Sequence, residues 1–193
     1  SPVLQATSGK YLIYNLGGNG FKIEGSSDTI YSGNTSNNII AGDIAGSGRY
    51  ALVTETQGYP SSLSVYLTDN TVQYKYDFSE YYVTDISLNS DGTRAAVSGI
   101  TAKDGGIVSA VYIFDFSNPE PISILTYNEV LMEKVEYMDN GTVAAIGDTT
   151  TSMINGTTGE KVDYNYQSRQ MTDYAIDKNR VALALTPYDN QSA

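Results

Sequence analysis

Four segments of the chain share one pattern, in which a glycine or asparagine leads into a short run of small and β-branched residues. The four runs span residues 48–53, 92–97, 141–146 and 179–184 and align on the alanines Ala51, Ala95, Ala144 and Ala182. The anchor alanines are 44, 49 and 38 residues apart. Propeller blades of four strands repeat every ~40–50 residues, so the spacing predicts a tandem array of such blades.

A second strand-like segment and a tight turn precede each of these runs. The upstream segments are 42–45, 84–88, 134–137 and 172–176. Two of the turns contain Asp91-Gly92 and Asn140-Gly141, residue pairs that supply the positive φ angles of a hairpin turn. No stretch has a convincing 3.6-residue apolar period, so we expect almost no helix.

These repeats predict an all-β fold, a β-propeller-like array of four-stranded antiparallel blades with three whole blades and two half blades. The whole blades are expected at about 38–79, 80–128 and 129–168, and the half blades at 1–37 and 169–193. Residues 1–37 resemble the third and fourth strands of a blade, with a loop at 32–38. Strands from the two termini often complete one blade, which would close a four-blade ring. The alternative is an open fragment of a larger propeller.

Composition and charge exclude several classes of function. The chain of 193 residues has a net charge of -11 and contains neither Cys nor His. This charge disfavours binding to nucleic acid or to anionic membrane surfaces. Thiolate sites are excluded, and an enzyme of this composition would depend on carboxylates, Lys or Tyr. No apolar window has the length of a membrane span, and the start at Ser1-Pro2 without Met leads us to expect an excised or processed piece.

Three aspartates recur at the start of the upstream segments, at Asp43, Asp85 and Asp173. A propeller's innermost strands line its central channel, where a ring of carboxylates could bind a cation. The pattern lapses in the third blade, which has Glu133 and Lys134. We favour the alternative, that these aspartates accept backbone hydrogen bonds. The turns at 89–93 and 139–141 are too short for an EF-hand loop, so no metal site or cofactor is predicted.

Tyrosine is abundant, with 17 residues, whereas Trp is absent. Exposed tyrosine rings can stack on sugar rings, and five tyrosines lie near expected strand ends or loops. They are Tyr59, Tyr81, Tyr82, Tyr127 and Tyr188. Tyr is also an ordinary strand residue, and we prefer that interpretation. The 22 acidic residues also allow a carboxylate pair of the glycosidase type, whose separation the sequence does not define.

Some segments carry a resemblance to a known family, namely 14–18, 65–66, 74–76, 90–93 and 145–148. Together they resemble an uncharacterised bacterial family of membrane-anchored, extracytoplasmic propeller domains with no assigned activity. A looser similarity to WD40-like and YVTN-like propellers rests on the Asp-Gly turns. Members of the family are longer than this chain, which favours a truncated propeller.

From the repeats and the resemblance we expect a non-enzymatic, extracytoplasmic binding or scaffold module of unknown ligand. The full-length protein is expected to be membrane-anchored or at the cell surface, through a tether outside this chain. Its partner would be a protein or a glycan, and nucleic acid is not expected. The alternatives are a carboxylate-based polysaccharide hydrolase or lyase and a ligand-sensing ectodomain. No catalytic residue is assigned, and the binding residues and oligomeric state stay open.

Overall fold

The computed structural model describes residues 1–187, which form eighteen β-strands arranged in five antiparallel sheets. Four sheets have four strands each, and the fifth is a two-stranded hairpin. The described residues contain no helix, and therefore none that is long and apolar enough to cross a membrane. Tyr188 and the rest of 188–193, at the end of the predicted half blade, lie outside the described residues.

Every four-stranded sheet takes its strands in chain order. The first sheet consists of β1 (Pro2–Thr7), β2 (Lys10–Asn15), β3 (Gly20–Glu24) and β4 (Thr29–Asn34). The second consists of β5 (Ile39–Ile44), β6 (Tyr50–Thr54), β7 (Ser61–Tyr66) and β8 (Val72–Phe78). The third consists of β9 (Tyr82–Leu88), β10 (Arg94–Lys103), β11 (Gly106–Asp115) and β12 (Ser123–Asn128). The fourth consists of β13 (Met132–Tyr137), β14 (Thr142–Gly147), β15 (Thr150–Asn155) and β16 (Lys161–Asn165), and the hairpin of β17 (Arg169–Asp177) and β18 (Arg180–Pro187).

The amino-terminal segment differs from the expectation, because residues 1–37 form four strands rather than a half blade. The sequence does not indicate the two outer strands of this sheet, because β1 and β4 lack a clear apolar pattern. Each alternates between exposed and half-buried residues and contains no fully buried side chain. Residues 32–34, expected in a loop, belong to β4. The first and last strands therefore lie in different sheets, and within residues 1–187 no strand pairing joins β1 to the β17–β18 hairpin.

Successive sheets pack face to face, with their first strands innermost. Strand β5 contacts β1 and β2, and strand β9 lies between β5 and β13. A separate apolar cluster fills each interface between neighbouring sheets. This stacking of twisted antiparallel sheets around their inner strands is the architecture of a β-propeller.

An aromatic cluster fills the outer half of the interface between the second and third sheets. The Phe78 ring lies 5.0 Å from Tyr112 and 6.1 Å from Phe114, both at nearly perpendicular angles. The Tyr76 ring contacts Phe114 edge-on at 5.1 Å. Edge-to-face pairs add to the free energy gained by burying the rings, so this cluster holds the two sheets firmly together.

Candidate functional site

The inner-strand aspartates connect neighbouring sheets. The Asp43 carboxylate on β5 accepts a hydrogen bond from the Leu88 backbone N–H on β9, at 2.7 Å. The Asp85 carboxylate on β9 accepts one from the Val135 N–H on β13, at 2.9 Å. Asp173 is exposed and accepts from the N–H of its own neighbour, Tyr174. All three aspartates accept backbone hydrogen bonds, and two of them do so across a sheet interface.

The lapse of the aspartate pattern in the fourth sheet has a structural reason, because Lys134 stands there as a counterion. Its ammonium nitrogen lies 3.2 Å from Asp85 Oδ2 and 3.6 Å from Glu136 Oε2. A positive charge at this point compensates carboxylates that converge on the inner strands. Residues 1–187 hold no group of three or more acidic side chains placed to bind a metal ion.

Burial dominates the electrostatics of the inner strands. It raises the pKa of Asp43 to about 7, against the opposing effect of the hydrogen bond from Leu88. Burial likewise raises the pKa values of Asp85 and Glu136, and nearby Lys134 only partly offsets this. Burial alone would lower the pKa of Lys134, but the Asp85 and Glu136 carboxylates together raise it. This group of residues is therefore a compensated network that joins strands.

Buried serines make a second set of links between sheets, which the sequence did not reveal. The Ser61 hydroxyl accepts from the Val83 N–H at 3.0 Å, and the Ser109 hydroxyl accepts from the Met132 N–H at 3.0 Å. Ser87 accepts from Tyr137 N–H at 2.9 Å. Serine is common in strands of every kind, so only its position within an otherwise apolar run, as for Ser109, could have indicated a buried role.

The five candidate tyrosines divide into buried and exposed residues. Tyr59 is 46% exposed and Tyr82 is 62% exposed, whereas Tyr81 and Tyr127 are each 5% exposed. The Tyr81 ring packs edge-on against Tyr112, and the Tyr127 ring lies beneath the Lys161 ammonium, 4.2 Å away. Tyr188 lies outside the described residues. Of the four candidates that lie within residues 1–187, Tyr59 and Tyr82 thus expose their rings to solvent.

Topology brings Tyr59 and Tyr82 to the same end of the sheets. Tyr59 lies in the loop between β6 and β7, and Tyr82 begins β9. The hydrogen bond from Val83 N–H to Ser61 ties these two segments together, one residue from Tyr82 and two from Tyr59. We refer to these two exposed tyrosines, at the same end of the sheets, as the tyrosine surface. Glu80 lies two residues before Tyr82 and adds a carboxylate at this end.

Gly99 positions Tyr82, because β9 passes very close to Gly99. A Cβ atom at Gly99 would lie 3.0 Å from Tyr81 Cβ and 3.0 Å from the Tyr82 carbonyl oxygen. The register between β9 and β10 also shifts between Ser98 and Gly99. Only glycine therefore lets β9 approach β10 without displacement at the point where Tyr82 enters the sheet.

Replacement of Gly99 by alanine is expected to push β9 outward and lower the free energy of unfolding by about 1–3 kcal/mol. Urea unfolding measures this effect. Gly106→Ala is the matched control, because its new Cβ would meet nothing closer than the Lys103 carbonyl oxygen at 3.7 Å. Equal stability of the two variants would contradict the close approach.

Comparisons with known proteins agree with this architecture. Residues 1–193 match a family described as a family of unknown function (DUF5711). No curated protein matched the chain in sequence.

Several solved structures share the fold. The chain superposes on KlHsv2 with loop 6CD replaced by a Gly-Ser linker, with a TM-score of 0.64 and 11% identity over 95% of this chain and 61% of that one. Hsv2p of Kluyveromyces lactis superposes with a TM-score of 0.55 and 14% identity, over 81% of this chain and 49% of that one. Hydrazine synthase of Kuenenia stuttgartiensis superposes with a TM-score of 0.59 and 11% identity, over 85% of this chain and 53% of that one. The chain thus spans about half to three fifths of these structures. At such low identity the likeness establishes the propeller fold alone.

Proposed function

The chain belongs to the DUF5711 family of unknown function, and we propose that it is a non-enzymatic propeller module that binds its ligand at the tyrosine surface. The proposal rests on one contrast: the charged residues of the inner strands are engaged in contacts between strands, whereas two tyrosines are exposed. Asp43, Asp85 and Lys134 are engaged with neighbouring strands. Tyr59 and Tyr82 are large, exposed rings at a loop end.

Neighbouring strands hold the backbone that carries Tyr82. Tyr82 lies in β9, which pairs with β10 and is tied to β7 through Val83 and Ser61. Buried Tyr81 anchors the adjacent position against Tyr112. Loops held by a rigid scaffold commonly carry binding sites, and a backbone that is already ordered loses little entropy when a ligand binds.

The chemistry of the surface favours a glycan as ligand. Phenol rings offer apolar faces to sugar rings, and a hydroxyl group at the edge for hydrogen bonding. Glu80 can accept hydrogen bonds from sugar hydroxyls, and the uncharged character of most glycans avoids repulsion by the net charge of -11. A polyanionic ligand would meet that repulsion directly.

A glycan array, followed by calorimetric titration of the best ligand, tests this function. We expect Tyr82→Ala and Tyr59→Ala each to weaken binding about tenfold, which corresponds to ~1.4 kcal/mol of lost binding free energy. Tyr11→Ala is the control, because Tyr11 is 37% exposed but lies in the first sheet. An array without signal, or an equal loss in the Tyr11 variant, would refute glycan binding at this surface.

We also propose that the module works outside the cytoplasm, tethered to a membrane by a segment outside this chain. The support is the resemblance to membrane-anchored propeller domains. A protease-protection assay on whole cells tests the location: the natural gene product should be digested from outside in intact cells. Complete protection in intact cells and digestion after lysis would contradict it.

A further inference from the structure

An open groove lies between the fourth sheet and the β17–β18 hairpin. Its volume is about 490 Å³, and its lining comes from β15, β16, β18 and the start of β17. The lining residues are Thr151, Met153, Tyr164, Arg169, Val181, Leu183 and Leu185. Beside it, Val162 on β16 is 74% exposed, and Tyr164 is 50% exposed. An apolar surface of this kind usually marks an interaction site.

The groove continues an interface that is already formed. The inner half of the fourth sheet packs on the hairpin through a buried cluster in which Ala144 and Ile146 contact Ile176, Val181 and Leu183. The hairpin has only two strands, so it covers β14 but leaves β16 open. Met153 and Val162 are cross-strand partners, which shows that β15 and β16 present one continuous face to the groove.

The interface between the second and third sheets shows what normally occupies this position. There, Tyr74 and Phe78 on β8, the fourth strand of its sheet, are buried against Tyr112 and Phe114 on β11. Strand β11 is the third strand of the following sheet. At the groove, by contrast, the following sheet is a hairpin, and no third strand is present within residues 1–187.

The hairpin also offers a free backbone edge. Strand β18 pairs with β17 along one side, from Arg180 to Pro187, and within residues 1–187 has no partner along the other. A strand edge beside an apolar groove is the arrangement used when another strand is added to a sheet, with backbone hydrogen bonds providing affinity and side-chain pockets providing specificity.

We propose that two further antiparallel strands occupy the groove. The first pairs with β18, the second pairs with the first, and together they complete a four-stranded sheet. Their source is polypeptide of the same molecule outside residues 1–193, since each four-stranded sheet is built from strands consecutive in the chain. The strand next to β18 carries large apolar side chains at alternate positions, which pack on Met153, Val162 and Tyr164.

A second copy of the chain does not fit the groove. Antiparallel pairing of β18 with its symmetry mate would place both hairpins in one sheet with their apolar faces on the same side. The fourth sheets of the two copies would then compete for the same space, because each extends beyond its own hairpin on that side.

Cysteine labelling tests the proposal, since the chain has no native Cys. Val162→Cys is compared with Ile124→Cys, a control at a residue 47% exposed on the third sheet. In residues 1–193 expressed alone, both thiols should react with a maleimide at similar rates. In the longest natural product of the gene, Cys at position 162 should react at least about tenfold more slowly, with position 124 unchanged, because reaction then requires local opening of the sheet.

Equal reactivity of the two positions in the natural gene product overturns the proposal. Protection that appears in residues 1–193 alone and grows with protein concentration also overturns it, in favour of a second copy. The labelling result is independent of glycan binding, so it stands or falls separately from the function proposed for the tyrosine surface.

Discussion

Asp43→Asn is expected to become more stable relative to the parent chain as the pH rises from 4 to 8. Burial raises the Asp43 pKa to about 7, so the folded protein holds a proton that the unfolded chain has already released. The parent chain therefore loses stability as the pH rises from about 4 to about 7, where this loss is complete, by up to about 4 kcal/mol, less the screening by solvent. Asparagine keeps an oxygen acceptor for the Leu88 N–H and does not titrate.

Urea unfolding at several pH values measures the free energy of unfolding of both proteins. The informative quantity is how the difference between the two free energies changes with pH. Asp69→Asn is the control. The hydrogen bond from Thr71 lowers the pKa of exposed Asp69, so the stability that its ionised form contributes is lost only in more acidic solution. The free energy of unfolding of Asp69→Asn should therefore differ from that of the parent by a constant amount between pH 5 and 8. A constant difference for Asp43→Asn as well would contradict the buried carboxylate link.

Phe114→Ala is expected to lower the free energy of unfolding by about 3–5 kcal/mol, because it opens a cavity in the aromatic cluster between the second and third sheets. Phe114 is fully buried, and its ring contacts Tyr76 and Phe78. The substitution removes edge-to-face contacts across the interface. It should therefore weaken the packing between the second and third sheets as well as the packing within the third sheet.

Urea unfolding with Ile124→Ala as control checks the second prediction. Ile124 lies on the neighbouring strand β12 and is 47% exposed, so its truncation should change stability by only about 0.5 kcal/mol. Similar losses for the two variants would show that the aromatic cluster is not what holds these sheets together.

The regular parts of the fold could be predicted from sequence because they combine two signals, a recognisable turn and a following run of small and β-branched residues. The anchors Ala51, Ala95 and Ala144 lie on second strands that follow recognisable turns, and all three are fully buried. Strands β1 and β4 lack such signals. They alternate between exposed and half-buried residues, and a polar stretch such as Ser32–Asn34 has the composition of a loop. Strand pairing alone, which is invisible in one sequence, defines them.

The candidate site was only partly predictable. The aspartates at 43 and 85 form a repeat that is visible in the sequence, and both accept backbone hydrogen bonds, as the repeat predicts. Their partners could not be predicted, since Leu88 and Val135 lie about 45–50 residues away in the next sheet. Likewise, Tyr81 and Tyr82 are adjacent in sequence but opposite in exposure, because successive residues of an extended segment face opposite sides.

The inner-strand carboxylates of Asp43 and Asp85 join neighbouring sheets, whereas we propose the exposed tyrosine surface as the binding face. The most direct test is the pH titration of the Leu88 backbone amide, followed by ¹H–¹⁵N NMR. If the Asp43 carboxylate accepts its hydrogen bond, the Leu88 signal should shift with a midpoint near pH 7. This shift should vanish in Asp43→Asn. A Leu88 signal that does not change between pH 5 and 8, or that changes equally in the variant, would contradict the account.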